Sequence, residues 1–131
     1  MMRNLPFDVQ IPRAKLEELS KSGPAVPTNS DQRRFVRFRQ LKRAILKCEP
    51  TFPEVERSEQ LSLGLITNIS KDGIGLLYHM QLYPKERFVL RLENSGLMRF
   101  SVARCRKLGP KCYEIGATTA TPIDIRPFIS Q

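Results

Sequence analysis

The stretch that decides the fold class is Arg87-Phe88-Val89-Leu90-Arg91-Leu92-Glu93. Its apolar residues Phe88, Leu90 and Leu92 alternate with a set that includes both arginine and glutamate. Because successive side chains of a strand point to opposite faces, this alternation predicts a β-strand with one buried face. The turn-forming residues 94–96 follow directly, so we expect the next run to return beside it as a hairpin.

Similar short runs lie on both sides of this strand. Turn residues separate them, including those at 107–110, and no helical pattern lies between them. The predicted strands are 38–48, 61–69, 74–81, 87–93, 97–106 and 112–118. Short strands joined by hairpin-length turns indicate a mainly β fold, either an antiparallel barrel or a sandwich.

Helical pattern is confined to the amino-terminal region. Pro12 suits a first helical turn, residues 13–20 are rich in helix formers, and Gly23 suits the position after a helix. Leu16 and Leu19 give this short helix a small apolar face, which we expect to pack on the β domain.

The chain is predicted to have three parts. Residues 1–30 comprise the helix and a linker rich in glycine, proline and small polar residues. Residues 31–121 form the β domain, and residues 122–131 form a carboxy-terminal tail.

Composition argues against an enzyme. His79 is the single histidine, and Cys48, Cys105 and Cys112 form no CxxC pair, which argues against a Cys/His zinc site. A histidine-based triad would have to be built on His79 alone, which disfavours a hydrolase. We expect no catalytic residue, metal or cofactor, with the cysteines acting as small hydrophobic side chains and His79 at a surface or edge. No stretch approaches the roughly 20 apolar residues of a membrane span, and no signal-peptide pattern is present, which predicts a cytoplasmic protein.

The net charge of +9 predicts an anionic partner. The charge is concentrated in residues 31–48, which hold seven Lys and Arg against the single acid Asp31. A second basic stretch, residues 97–111, holds five Lys and Arg and no acid. We interpret this second stretch as a solvated strand face and turn, with a partner surface as the alternative.

Two short motifs could carry binding chemistry. The first is RxxxR at Arg33 and Arg37, just before the first predicted strand. Arginine offers a planar fork of donors that grips phosphate oxygens and matches the O6 and N7 acceptors of guanine. The spacing alone carries little information, because Arg39/Arg43 and Arg87/Arg91 share it.

The second motif, NxSxxG, occurs once, at the end of the second predicted strand. Asn68 and Ser70 lie two residues apart, so an extended backbone would point both side chains to one face. The Asn carbonyl can accept from a base N–H, the Ser hydroxyl can donate or accept, and Gly73 is expected to supply a positive φ in the turn. Together the two motifs predict a site for an anionic, guanine-like ligand.

In this order and context the two motifs resemble the signature of the PilZ domain family. The stretches RRFVRF, TNISKDGIGL and KCYEIGATTA add to the resemblance, which covers residues 31–120. It implies a six-stranded antiparallel, Greek-key-like barrel that binds the bacterial second messenger cyclic di-GMP. By position, Arg33 and Arg37 would grip phosphates and guanine edges, and Arg34 would have a supporting role.

By the same resemblance, Asn68 and Ser70 would hold a guanine and Gly73 would shape the turn. Asn68 stands where Asp is commoner in the family, which predicts weaker binding. Gln32 replaces an arginine found in relatives that bind a ligand dimer, which leaves the stoichiometry open. Pro122 and Pro127 interrupt the tail where the family usually has a helix.

The sequence thus favours a cytoplasmic cyclic di-GMP receptor that signals to a protein effector. Two alternatives remain open: an adaptor of the same fold that binds no nucleotide, and a small basic barrel that binds nucleic acid. The second is disfavoured because the chain has no Trp and no visible aromatic stacking platform. The basic residues Arg39, Lys42, Arg43 and Lys47 match neither motif.

Overall fold

The computed structural model describes residues 7–19, 38–57, 61–92 and 96–123. Within them lie one short helix and six strands. The elements are α1 (Arg13–Leu19), β1 (Phe38–Cys48), β2 (Ser62–Ile69), β3 (Gly73–Tyr78), β4 (Arg87–Leu92), β5 (Gly96–Gly109) and β6 (Cys112–Thr118). The linker, the tail after Ile123 and the predicted ligand residues Arg33, Arg34 and Arg37 lie outside the described residues.

The six strands form a closed barrel in the order β1-β2-β3-β6-β5-β4, and every neighbouring pair is antiparallel. The predicted mainly β fold with a short amino-terminal helix is therefore confirmed, and of the two architectures left open the barrel is the correct one. Closure leaves no unpaired sheet edge.

Two predicted boundaries are wrong. The strand predicted at 97–106 continues to Gly109, which pairs with Cys112, so the turn comprises only Pro110 and Lys111. Lys111 adopts a φ of 55° there, a left-handed conformation that replaces the longer turn expected at 107–110. The strand predicted at 74–81 ends at Tyr78, because residues 79–86 form the loop that connects it to β4.

The barrel interior follows from the alternation seen in the sequence. Phe88 of β4 pairs with Phe100 of β5, and their stacked rings have centroids 5.6 Å apart. Leu90 and Leu46 form the next inward pair, and all four side chains are buried. Burying such a side chain stabilises the fold by about 1.5–3 kcal/mol, so this core fixes the register that also positions the outward residues.

A buried ion pair between Arg57 and Glu86 stabilises the loop that connects β3 to β4. The Glu86 carboxylate is almost fully buried and accepts from Arg57 Nε at 2.5 Å and Nη2 at 2.9 Å. It also accepts from the Tyr83 backbone N–H at 2.9 Å. These bonds raise the pKa of Arg57 further above its ordinary value.

The amino-terminal segment packs on the outside of β3 and β6. Leu19 and Val9 form a buried cluster with Leu77 and Cys112, and the Gln10 backbone N–H donates to the Lys111 carbonyl at 3.1 Å. The predicted packing of the helix is confirmed for Leu19, whereas Leu16 is 51% exposed. The docked segment covers the part of the outer barrel surface that Leu77 and Cys112 form.

Candidate functional site

The NxSxxG motif forms the tight turn between β2 and β3. The Ser70 backbone N–H donates to the Gly73 carbonyl at 3.0 Å, and the Ser70 hydroxyl donates to Asp72 Oδ1 at 2.7 Å. Ser70 is fully buried. Its hydroxyl therefore stabilises the turn in this conformation and is not presented on the barrel surface.

The turn is also tied to the segment that follows β6. The Thr119 backbone N–H donates to the Asp72 carbonyl at 3.0 Å, and the Ile123 N–H donates to the Lys71 carbonyl at 2.8 Å. These two bonds hold the motif against the segment that follows β6. A displacement of the turn would consequently be felt at residues 119–123.

Gly73 is required for a different reason from the one expected. Its φ lies outside the left-handed region, so the predicted positive φ is wrong. The constraint is instead a close approach to β6, because a Cβ at this position would lie 2.4 Å from the Ala117 carbonyl oxygen. Any side chain would push β3 away from β6, so Gly73 positions the turn through strand packing.

Asn68 lies on the outer face of β2, beside a second glycine. Its Cα partner in β3 is Gly75, and a register shift between Ile66 and Asn68 precedes this pair. A Cβ on Gly75 would lie 2.3 Å from Asn68 Nδ2 and 2.9 Å from Oδ1. The half-buried carboxamide thus occupies the space that a larger residue at position 75 would fill.

A third glycine lies beside Gly75 on the neighbouring strand, β6. Gly75 pairs with Gly116, and Gly116 pairs with Arg104 of β5. The Arg104 guanidinium lies over Gly116, since a Cβ there would be 3.2 Å from Nε and Cζ. We name the set Asn68, Gly75, Gly116 and Arg104 the glycine platform. In it, a carboxamide lies over one glycine and a guanidinium lies over the other.

The described chain enters the barrel beside this platform. Phe38, the first residue of β1, pairs with Ile69, the last residue of β2. Arg39 is the Cα partner of Asn68 and extends the register of the platform into β1. The RxxxR motif directly precedes Phe38 in sequence, so the two motifs are joined at this corner of the barrel by chain connectivity.

An ion-pair network forms the boundary between the platform and the docked segment. Glu114, one row from Gly116 in β6, accepts from Lys15 Nζ at 2.6 Å and from Arg106 Nη2 at 2.7 Å. Burial alone would raise the pKa of Glu114, but the bonds and charges of Lys15 and Arg106 outweigh it and lower that pKa. The carboxylate therefore stays charged and holds α1 against β6.

The described residues include three cysteines and a single histidine. They contain no group of three or more His, Cys, Asp and Glu side chains that could hold a metal ion. Burial raises the pKa of Cys48, Cys105 and Cys112, which keeps these thiols protonated and unreactive. Cys48 and Cys112 are buried and Cys105 is half-buried, as expected for small hydrophobic side chains.

His79 is less exposed than expected for a surface or edge residue. It is half-buried against the Tyr78 ring, and its buried Nδ1 atom has no hydrogen-bond partner among the described residues. Burial lowers the pKa of this imidazole, which favours its neutral form. His79 directly follows the last residue of β3 and is not part of the platform.

Sequence reasoning missed three of the four platform residues. Gly75 and Gly116 gave a weak signal, since each lies one residue from a core position inside a predicted strand, where glycine is unfavourable. Arg104 was included only in the basic stretch 97–111. Its pairing with Gly116 depends on a register shift between Val102 and Arg104, which no local pattern indicates.

No protein-family model matches this sequence, and no curated protein matches it either. No helix in the described part of the chain has the length and apolar character that crossing a membrane requires.

Proposed function

We propose that this protein is a PilZ-type receptor for cyclic di-GMP that relays ligand occupancy to a protein effector in the cytoplasm. The observation that carries the proposal is the glycine platform beside the NxSxxG turn, at the corner where the chain from the RxxxR motif enters β1. The sequence resemblance and the six-stranded barrel support the same assignment.

The platform suits one guanine of the ligand. With no side chain on Gly75 or Gly116, the Asn68 carboxamide and the Arg104 guanidinium lie close over the backbone of β3 and β6, and a planar base can pack against these two polar groups. Asn68 Oδ1 can accept from the guanine N1–H or amino group. The Arg104 guanidinium can pair with O6 and N7 or with a phosphate, and its planar fork can also stack on the base.

The RxxxR motif is proposed to hold the phosphates. Arg33 and Arg37 precede β1 and provide the bidentate donors that phosphate oxygens favour. A ligand bound by these arginines and by Asn68 would fix the amino-terminal region relative to the barrel. That restriction changes the surface presented to an effector, which is how binding would become a signal.

Ser70 contributes indirectly in this proposal. Its buried hydroxyl bonds Asp72, so its effect on affinity arises from the placement of the turn and of Asn68. Gly73 acts in the same way, through its close approach to Ala117.

The test is isothermal titration calorimetry with cyclic di-GMP at physiological salt, with GTP as a competitor. We expect Arg33→Ala/Arg37→Ala and Asn68→Ala each to weaken binding at least about tenfold, which corresponds to about 1.4 kcal/mol. The matched control is Arg87→Ala/Arg91→Ala, which removes a second pair of arginines with the same spacing. Absence of binding by the folded wild-type protein, or equal loss in the control, would contradict the proposal.

One observation favours the adaptor alternative. The hydrogen bonds of the Ser70 side chain are complete without a ligand, so the turn is built whether or not a nucleotide binds. An adaptor would keep the fold and bind its effector without nucleotide. Full effector binding by Arg33→Ala/Arg37→Ala, with no heat from cyclic di-GMP in the wild type, would select this function.

A further inference from the structure

The outer surface of β1, β4 and β5 carries a regular array of side chains away from the glycine platform. Cross-strand pairing aligns Ile45, Arg91 and Leu97 in one row. It aligns Lys47, Val89 and Arg99 in the next row. We name these six residues the β1–β4–β5 face.

Half of this face is cationic and half is aliphatic. Lys47, Arg91 and Arg99 are exposed, and Leu97 is 71% exposed although it is a large apolar residue. Neighbouring strands are about 4.8 Å apart and alternate residues about 6.8 Å apart, so each cation has an aliphatic neighbour within reach. A partner that fits this array must combine negative charge with apolar side chains.

The positive charge of the face is only partly compensated by the described residues. Arg99 is paired with Glu49, through Nε at 2.7 Å and Nη2 at 3.0 Å. Lys47 and Arg91 make no ion pair with any other described residue. Arg87, at the end of the face beside Glu49, is also exposed and adds a further cation. The described face thus attracts anions.

A cavity opens beside this array, between the outward side of β5 and the segment after β6. Its volume is about 880 Å³. Leu97 and Pro122 contribute apolar lining, and Arg87 and Arg99 line it as well. An aliphatic side chain can therefore enter the cavity while a neighbouring carboxylate meets an arginine at its margin.

We propose that the β1–β4–β5 face binds a protein partner whose docking surface interleaves carboxylates with aliphatic side chains. Protein–protein interfaces combine apolar side chains with arginine, which is enriched in them, and the face carries both. Binding of single-stranded nucleic acid would call for aromatic stacking, and none of the six side chains of the face is aromatic. This inference goes beyond nucleotide binding and does not depend on it.

The test uses a fluorescein-labelled peptide in which glutamate alternates with leucine, followed by fluorescence anisotropy near physiological salt. We expect the wild-type protein to bind it and Lys47→Glu/Arg91→Glu to bind at least about tenfold more weakly. The matched control is Arg13→Glu/Lys107→Glu, which changes two exposed cations outside the face and alters the net charge equally. Its affinity should fall less than about threefold.

Peptide controls separate charge from apolar contact. Replacing every glutamate by glutamine, or every leucine by serine, should each abolish most of the binding. Circular dichroism verifies folding, and Lys47→Gln/Arg91→Gln serves if the charge reversal impairs it. Equal losses in the two double variants, or no peptide binding by the wild type, would overturn the proposal.

A random-sequence DNA duplex provides the alternative occupant. If the duplex binds more tightly than the peptide and loses affinity in Lys47→Glu/Arg91→Glu, the partner is nucleic acid and the proposal is wrong. Cyclic di-GMP titration of the same variant should be unchanged. Failure of this inference is thereby distinguished from failure of the proposed nucleotide site.

Discussion

Substitution of Gly73 by alanine tests the packing that positions the NxSxxG turn. A Cβ built at this position lies 2.4 Å from the Ala117 carbonyl oxygen, whereas real contacts of this kind essentially never fall below 3.0 Å. The neighbouring atom is backbone, so the strands must separate by several tenths of an ångström. The pairing of Gly73 with Thr118 and of Ile74 with Ala117 would be strained at the same time.

Overpacking of this kind typically costs about 1–3 kcal/mol. For a chain of this size, a loss of about 2 kcal/mol lowers Tm by roughly 6–10 °C. We therefore expect Gly73→Ala to lower the free energy of unfolding by about 2 kcal/mol, measured by urea denaturation and by thermal melting followed by circular dichroism.

Gly109→Ala is the matched control for this measurement. Gly109 also lies in a strand, but a Cβ there would meet only Pro12 Cγ, at 3.4 Å, which is ordinary contact. Its expected effect is within about 1 kcal/mol of zero. If Gly73→Ala unfolds at the same urea concentration as the wild type, the close approach of β3 and β6 is wrong, and so is our explanation of this motif glycine.

Three further substitutions test the rest of the structure. Gly75→Ala should displace the Asn68 carboxamide and so weaken cyclic di-GMP binding in calorimetry. Because that carboxamide is a movable side chain, the substitution should lower Tm by less than Gly73→Ala does. Unchanged binding would show that the platform is not part of the site. Arg57→Met should lower the free energy of unfolding by about 3–5 kcal/mol in urea titrations, because it leaves the buried Glu86 carboxylate unpaired, and a loss below about 1 kcal/mol would contradict the ion pair. Glu114→Gln should flatten the acid limb of the curve of stability against pH, because the pKa of Glu114 is lowered in the folded state. The stabilisation by this carboxylate is present above the ordinary pKa of 4.5 and disappears as pH falls through the lower folded pKa. An unchanged slope of the urea midpoint against pH would refute this.

The strand layout could be predicted from the sequence because the barrel has one interior. Phe88 and Leu90 alternate with outward residues, and the same period locates five further strands to within a few residues. The errors fall where local pattern carries no information. The end of β5 depends on Lys111 adopting a positive φ, which is a conformation that Gly adopts more readily.

The candidate site was predictable only in part, because its geometry depends on contacts between distant residues. The motif identified Asn68 and Ser70, but not that Ser70 is buried or that Asn68 lies over Gly75. Arg104 reaches Gly116 through a register shift in β5, and Lys15 reaches Glu114 across 99 positions of sequence. Neither contact is encoded in a short sequence window.

The structure also shows where the surplus basic residues lie on the barrel. The surplus basic residues in 31–48 lie on a strand that contributes to two outer surfaces. Arg39 extends the register of the platform, whereas Lys47 belongs to the β1–β4–β5 face. The net positive charge thus has two separate uses in our account, one for a nucleotide and one for an acidic protein surface.

The most direct test of the central claim is calorimetric titration of the wild-type protein and of Arg104→Ala with cyclic di-GMP, at physiological salt. Arg104 lies over Gly116 and belongs to neither sequence motif, so its involvement follows from the platform alone. We expect saturable binding by the wild type and affinity at least about tenfold weaker in Arg104→Ala, with excess GTP failing to compete. Absence of heat in the folded wild type, or identical affinities in the two proteins, would contradict the account.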